Sequence, residues 1–175
     1  MARKSSKTYR WPNPLVVLFM TMFLGACATS PGPSTPPDQE VEARVREPAR
    51  QDSEGIQVFP LQNPAVKELL ADAGAAEKTG DYGQAASYLE RALRIQPRDP
   101  EILQSMAEVQ LQMRDYEQAL NFASRSYDIG PGVGEICSRN WRTISVSREY
   151  LGDHPGSVEA EKKADVCMNT KPRGL

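Results

Sequence analysis

A pattern that recurs every 34 residues constrains the fold of this chain more than any other feature. The stretch from Gly80 to Pro100 aligns with the stretch from Arg114 to Gly134 at this single offset. The matched pairs are Asp81 with Asp115, Tyr82 with Tyr116, Gln84 with Gln118, Ala85 with Ala119, and Pro97 with Pro131. Upstream of each turn, apolar residues recur at spacings of three and four, which places them on one helical face. The repeat therefore predicts helices that stack in successive pairs.

The period and these positions resemble the tetratricopeptide-repeat (TPR) family, whose unit is a helical hairpin of about 34 residues. A small residue (Ala85, Ala119) stands where two helices approach closely, and a proline, which lacks an amide donor, ends each unit. The resemblance implies an all-α fold of about three hairpins, the last atypical, that form a short right-handed superhelix. We expect a TPR domain over 65–170, with repeats near 66–99, 100–133 and 134–168, and a tail at 171–175.

The third repeat departs from the regular period. Gly152 and Asp153 reproduce the turn, with His154 where tyrosine stood and Ser157 where alanine stood, but His154 follows Tyr116 by 38 residues. Four extra residues make about one helical turn. We therefore predict that the first helix of this repeat, near Glu135 to Tyr150, is one turn longer than its counterparts.

The N-terminus has the layout of a secretory signal. Four basic residues and no acidic one occur in the first ten positions, and an apolar run from Leu15 to Leu24 follows. This run is well short of the roughly 20 residues that a membrane-spanning helix needs. The end of this run resembles the lipobox of bacterial lipoproteins, in which cleavage leaves an acylated cysteine as the first residue. The matching residues are Leu24, Gly25, Ala26 and Cys27. An ordinary signal cut at another position is the alternative.

The lipobox resemblance implies a signal peptide at 1–26 and a lipid on Cys27. Several acyl chains, such as palmitate, anchor a protein stably where one chain would not. Aspartate directly after the cysteine favours the inner membrane in the lipoproteins that this chain resembles, and here the residue is Ala28. We therefore expect a lipid-anchored protein of the outer membrane that faces the periplasm.

Residues 27–64 join the anchor to the repeats. After Cys27 this segment is rich in proline, serine and charge, a composition that predicts a disordered linker because it buries little apolar surface. Fully extended, it would reach on the order of 120 Å at about 3.3 Å per residue. Its apolar end, Ile56 to Leu61, is expected either to cap the first helix or to occupy a groove of the domain.

Charge and cysteine content set further bounds. Without residues 1–26 the chain keeps 17 basic and 23 acidic residues, a net charge of −6 that argues against nucleic acid as a partner. Cys137 and Cys167 are then an even pair in an oxidising compartment, which favours a disulfide. They lie near the start of one helix and the end of the next, as an antiparallel pair requires. Two separate buried thiols are the alternative.

No arrangement of residues indicates catalysis. The single histidine, His154, precedes a proline in a predicted turn, and no second histidine completes a zinc site. The glycine-rich stretch from Gly130 to Gly134 lacks the lysine of a phosphate-binding loop and follows a helix rather than a strand. We therefore predict a protein that is not an enzyme and has no catalytic residues, metal site or cofactor.

Binding is the remaining role, and TPR arrays bind partners on the concave face that their first helices form. By the family's geometry, the expected lining is Lys67, Glu77, Gln104, Glu108, Gln112, Ser138, Arg139 and Arg142. Solvated surface charge is the alternative for each of them. Trp141 is expected to pack within the third repeat, or to anchor a partner if it is exposed.

An acylated cysteine, a long linker and a small repeat domain together resemble the TPR outer-membrane lipoproteins that activate bifunctional (class A) penicillin-binding proteins. The resemblance implies a non-catalytic protein that binds the periplasmic domain of such a peptidoglycan synthase. A pilotin or assembly-factor lipoprotein for an outer-membrane secretin, pilus or β-barrel complex is the alternative.

Overall fold

A computed structural model describes residues 37–51 and 63–169 of the chain. The predicted signal peptide, Cys27, the segment from Ile56 to Leu61 and the tail at 171–175 lie outside these residues. Within the two described ranges, no helix combines the length and the apolar character needed to cross a membrane.

The described residues are almost entirely helical. The helices are α1 (Pro37–Val41, Glu42–Arg46 and Glu47–Gln51, which run on without a break), α2 (Pro64–Lys78), α3 (Tyr82–Ile95), α4 (Pro100–Gln112), α5 (Tyr116–Ile129), α6 (Gly134–Tyr150) and α7 (His154–Asn169). From α2 onward, each helix packs against the next, which gives three stacked hairpins. The predicted all-α TPR fold is confirmed.

The turn motif of the repeat starts the second helix of each hairpin. The carboxylates of Asp81 and Asp115 accept hydrogen bonds from the backbone amides of Gln84 (3.0 Å) and Gln118 (3.1 Å). Such caps satisfy amides that have no partner inside the helix. The residue before each aspartate adopts the left-handed conformation, in one repeat Gly80 and in the other Arg114, whose φ is 63°.

Small residues let the helices of the hairpins approach closely. Ala85, Ala119, Ala123 and Ala160 are fully buried, and larger apolar side chains such as Leu89 fill the space around them. Burial of this apolar surface is the main force that stabilises the stacked array.

The third hairpin has the extra turn that its spacing predicts. Helix α6 has 17 residues, against 13 in α4 and 15 in α2, so the first helix of this hairpin is longer than both counterparts, by about one turn relative to α4 and by two residues relative to α2. At the start of α6, buried Cys137 lies beside buried Cys167 of α7, with Cα atoms 5.7 Å apart and sulfur atoms within bonding distance. This Cα separation suits a disulfide.

The structure differs from the sequence expectation in the linker, because residues 37–51 form helix α1 rather than disordered chain. Val41, Val45 and Ala49 follow one another at four-residue spacing and are 3%, 0% and 0% exposed. The composition of this segment provides too little apolar surface for a core of its own. The TPR domain supplies the second surface on which these three side chains are buried.

The middle of α1 is a π-helical turn. It spans Glu42–Arg46, and the amide of Glu47 donates to the carbonyl of Glu42, five residues back. Pro48 follows directly, and its ring would clash with the carbonyl of Arg44 in a regular α-helix. A π turn next to this proline widens the helix locally and is a known way to accommodate such a disturbance.

Candidate protein-binding groove

Helix α1 lies against the first helices of the second and third hairpins. Val41 and Val45 pack with Leu111 of α4 and Val146 of α6 in one buried cluster. We call the surface beneath α1 the groove and define its polar centre by Glu77 of α2, by Gln104, Glu108 and Gln112 of α4, and by Arg139 of α6. All five residues were predicted to line a binding face.

Glu108 is the centre of the groove and is fully buried. Arg139 donates to both of its carboxylate oxygens, from Nε at 2.7 Å and from Nη2 at 2.8 Å. Gln104 donates from Nε2 at 2.9 Å, and Arg46 of α1 donates from Nε at 2.6 Å. This buried carboxylate is therefore paired with two guanidinium groups at once.

The pKa values of these groups follow from that arrangement. Burial, the largest single influence, disfavours the charged form of Glu108, but Arg139, Arg46 and the hydrogen bond from Gln104 outweigh it and lower the pKa to about 2. Burial likewise opposes the charge on Arg46 and on Arg139, yet the neighbouring carboxylates raise the pKa of both. All three groups are ionised near neutral pH.

A second carboxylate links α2 to the same cluster. Glu77 accepts from Nη2 of Arg46 at 2.6 Å and from Nε2 of Gln112 at 3.3 Å. One guanidinium therefore bridges two carboxylates, Glu77 through Nη2 and Glu108 through Nε. Gln104 extends the network toward α6 by a second bond from its Nε2, to Thr143 Oγ1 at 2.9 Å.

The N-terminal half of α1 makes further contacts. Arg44 forms an ion pair with Glu149, and Glu40 accepts a hydrogen bond from the hydroxyl of Tyr150 at 2.6 Å. That bond and partial burial raise the pKa of the Tyr150 hydroxyl to about 12. Tyr150 also stacks on Tyr116, with ring centres 4.4 Å apart. The first turn of α1 is thus held at the far end of α6.

The remaining predicted lining residues are placed differently. Ser138 is fully buried and accepts from Nε of Arg142 at 3.3 Å, and Arg142 also contacts Asp165 of α7 at 3.3 Å. Lys67 is exposed on α2. Four of the predicted lining residues were expected on an open face but are only 0–4% exposed, namely Gln104, Glu108, Gln112 and Ser138. Glu108 is buried because α1 covers it, and Arg46 of α1 contacts its carboxylate.

Sequence reasoning missed Arg46 and the three small apolar residues of α1. The signal was present, since Val41, Val45 and Ala49 recur every four residues and Glu40 pairs with Arg44 at the same spacing. Pairs at this spacing share a helical face. The high charge of the surrounding segment obscured that pattern.

A cleft of about 470 Å³ remains open between α1 and α2. Four carboxylates and two basic groups are in its lining, which consists of Asp38, Gln39, Glu42, Ala43, Arg46, Glu47, Gly74, Glu77, Lys78 and Gln112. Across residues 37–51 and 63–169, no three histidine, cysteine, aspartate or glutamate side chains are grouped so as to hold a metal ion.

Trp141 contacts the second helix of its own hairpin and the preceding hairpin. Its ring meets Tyr127 of α5 edge to face at 4.8 Å between centres, and the ammonium of Lys163 on α7 lies 4.6 Å from its ring centre. The indole is half-buried. This agrees with the expectation that Trp141 packs at the third repeat.

The sequence and the fold of this chain are similar to those of known proteins. A family model for the tetratricopeptide repeat matches residues 76–126. The solved globular C-terminal domain of LpoP from P. aeruginosa is 35% identical to this chain, with a TM-score of 0.57, and the match covers 59% of this chain and 98% of that domain. This chain belongs to the LpoP family. The match confirms the resemblance to TPR lipoproteins that activate class A penicillin-binding proteins.

A second structure supports the fold alone. The R50E mutant of MamA is 15% identical to this LpoP-family chain over 75% of its length and 91% of the MamA chain, with a TM-score of 0.52. No curated protein sequence matches the chain significantly.

Proposed function

We propose that this chain is a non-catalytic lipoprotein of the outer membrane, anchored through lipid on Cys27, that binds the periplasmic domain of a class A penicillin-binding protein and activates it. The 35% identity over 98% of the LpoP globular domain carries the proposal. It supports the function that the order of signal, cysteine, linker and repeats implies.

The structure supports a binding role in a second way. The groove recognises a helix, α1, through a buried apolar strip and a bridging arginine. TPR arrays characteristically offer such extended surfaces to partners. To activate a synthase by binding, the domain must have a higher affinity for the active conformation than for the inactive one.

The electrostatics of the groove favour binding over catalysis. A general acid or base acts best when its pKa lies near the working pH. The pKa of Glu108 is about 2, and its carboxylate is engaged by two arginines and a glutamine. This group is therefore suited to holding charged side chains in place and not to transferring protons.

The experiment uses the mature chain, residues 27–175, with Cys27→Ser so that it is soluble. We expect it to bind a purified class A synthase from the same cell and to raise the rates of glycan polymerisation and peptide cross-linking. A monofunctional synthase from that cell is the matched control and should be unaffected. If the class A synthase shows neither binding nor stimulation, the proposal is wrong.

A further inference from the structure

We propose that α1 is a replaceable ligand of the groove, carried in the same chain, and that the external partner of the groove is an amphipathic helix with the chemistry of α1. That chemistry is two β-branched residues and a small residue at four-residue spacing, as in Val41, Val45 and Ala49, with an arginine directed at Glu77 and Glu108. The inference deepens the proposed function by naming the feature that the same surface recognises.

Helix α1 is attached differently from the other helices. It belongs to none of the three hairpins, and its three segments, Pro37–Val41, Glu42–Arg46 and Glu47–Gln51, come to 15 residues. An isolated helix of this length is marginal in water. Its order therefore depends on the groove, and it should form and leave as one unit.

Glu108, the buried carboxylate of the groove, keeps an ionic partner without α1. If Arg46 leaves, Glu108 retains two hydrogen bonds from Arg139 and one from Gln104. Removing α1 therefore leaves no fully buried charge without an ionic partner. An unpaired buried charge would make the release of α1 energetically costly. Glu77, whose side chain is 12% exposed under α1, becomes accessible to water and keeps Gln112 as a neighbour.

The polar centre selects an arginine on the incoming helix. Arg46 reaches Glu108 through Nε and Glu77 through Nη2, both at 2.6 Å, so two separate nitrogens of one planar group serve two carboxylates. Lysine offers a single nitrogen and is a poor substitute at such a site. The groove contributes two carboxylates and one arginine, which leaves one positive charge to be supplied by the ligand.

The apolar strip selects the neighbouring side chains. Val41 and Val45 fill the space between Leu111 and Val146, and Ala49 is also fully buried. The cavity that lies among Val41, Val45, Leu111, Tyr116 and Val146 is too small to admit a larger residue without displacement. A partner helix should therefore present valine-sized residues here, with its arginine directly after the second of them, as Arg46 follows Val45.

The test uses a fluorescent peptide with the sequence of residues 37–51 and the mature chain carrying Cys27→Ser. Val45→Asp in the chain places a charge in the apolar strip and should release α1. We expect the peptide to bind this variant at least tenfold more tightly than it binds the chain with native Val45. Circular dichroism should show that α2–α7 remain folded in the variant.

Two altered peptides with equal net charge test the recognition chemistry. Arg46→Gln removes both ion pairs and should weaken binding at least tenfold, whereas Arg50→Gln, at an exposed position whose ion pair is with Glu42 of the same helix, should weaken it far less. No binding of the native peptide to the released chain, or equal binding of both altered peptides, overturns the proposal. These assays contain no synthase, so their failure is distinguishable from failure of the proposed function.

Hydrogen exchange on the chain with native Val45 gives an independent readout if Val45→Asp does not fold. Amides of α1 should exchange together and at least tenfold faster than those of α4. Equal protection of the two helices shows that α1 is a fixed part of the core and overturns the proposal. A dimer in sedimentation, with α1 exchanged between copies, overturns the assignment of α1 to its own groove.

Discussion

At the scale of single residues, Glu108 determines the stability of the groove. Glu108→Ala leaves Arg139, whose side chain is only 15% exposed, without its main partner. Loss of one member of a buried ion pair typically costs roughly 3 kcal/mol or more. We expect the free energy of unfolding in urea to fall by about that amount. Glu117→Ala, at an exposed position of α5, is the control and should change it by less than about 0.5 kcal/mol. Equal effects would contradict the central role of Glu108.

The same carboxylate predicts an acid dependence. Its pKa is about 2 in the folded chain and 4.5 is the ordinary value. The unfolded chain therefore binds the proton more readily, so the contribution of Glu108 is complete above pH 4.5 and is lost as the pH falls toward 2. The loss amounts to roughly 3 kcal/mol. Urea midpoints measured between pH 4.5 and pH 2 should show this loss of stability. Glu108→Gln should abolish the part of the pH dependence that Glu108 contributes, whereas Glu117→Gln should leave it in place.

At Arg114 we predict a substitution that stabilises the domain rather than destabilising it. Its φ of 63° is a conformation that glycine adopts without strain, and Gly80 occupies the equivalent turn of the first hairpin. Arg114→Gly should raise the melting temperature, with a gain of up to about 1 kcal/mol. Arg114→Ala removes the same charge without relieving the strain and should give no such gain. A gain of the same size with alanine would assign the effect to charge instead.

At the scale of elements, the sequence determined the hairpins but not α1. The 34-residue period and the aspartate turns sufficed to predict the repeats and the extra turn of α6. They also sufficed to assign Glu108 and Arg139 to one surface, because both lie on first helices. The pairing of Glu108 with Arg46 could not be predicted, since Arg46 lies 62 residues away in a segment whose composition indicates disorder. Helix α1 depends on tertiary contacts, which local composition does not reveal.

The element-scale prediction concerns α6 and α7, the last hairpin, which among the described residues has a neighbouring hairpin on one side only. We predict a disulfide between Cys137 and Cys167, whose Cα atoms are 5.7 Å apart. The unreduced mature chain should be about 2 Da lighter than the reduced chain, because two thiol hydrogens are lost. Replacing both cysteines with serine should lower stability by roughly 3–4 kcal/mol, as expected for a loop of 30 residues. Alkylation of both thiols in unreduced protein would refute the bond.

At the scale of the whole molecule, the proposed lipid on Cys27 would make the docking of α1 a determinant of how far the TPR domain can lie from the membrane. With α1 in the groove, the ten residues that lead from Cys27 to Pro37 extend at most about 33 Å. With α1 released, the chain from Cys27 to Pro64 can extend on the order of 120 Å. A partner helix that replaces α1 would therefore also lengthen the tether, so that binding and reach are coupled in one step.

The coupling can be measured with the lipidated chain in a supported bilayer. A fluorescent donor on a cysteine introduced at the exposed position of Lys67 transfers energy to acceptor lipids, and the transfer reports the height of the domain. Val45→Asp should lower the transfer because the released tether is longer, whereas Arg50→Gln, at an exposed position of α1 outside the cleft, should leave it unchanged. Cys27→Ser should abolish attachment to the bilayer. If Val45→Asp and Arg50→Gln give equal transfer while the lipid is present, the docking of α1 does not set the reach of the domain.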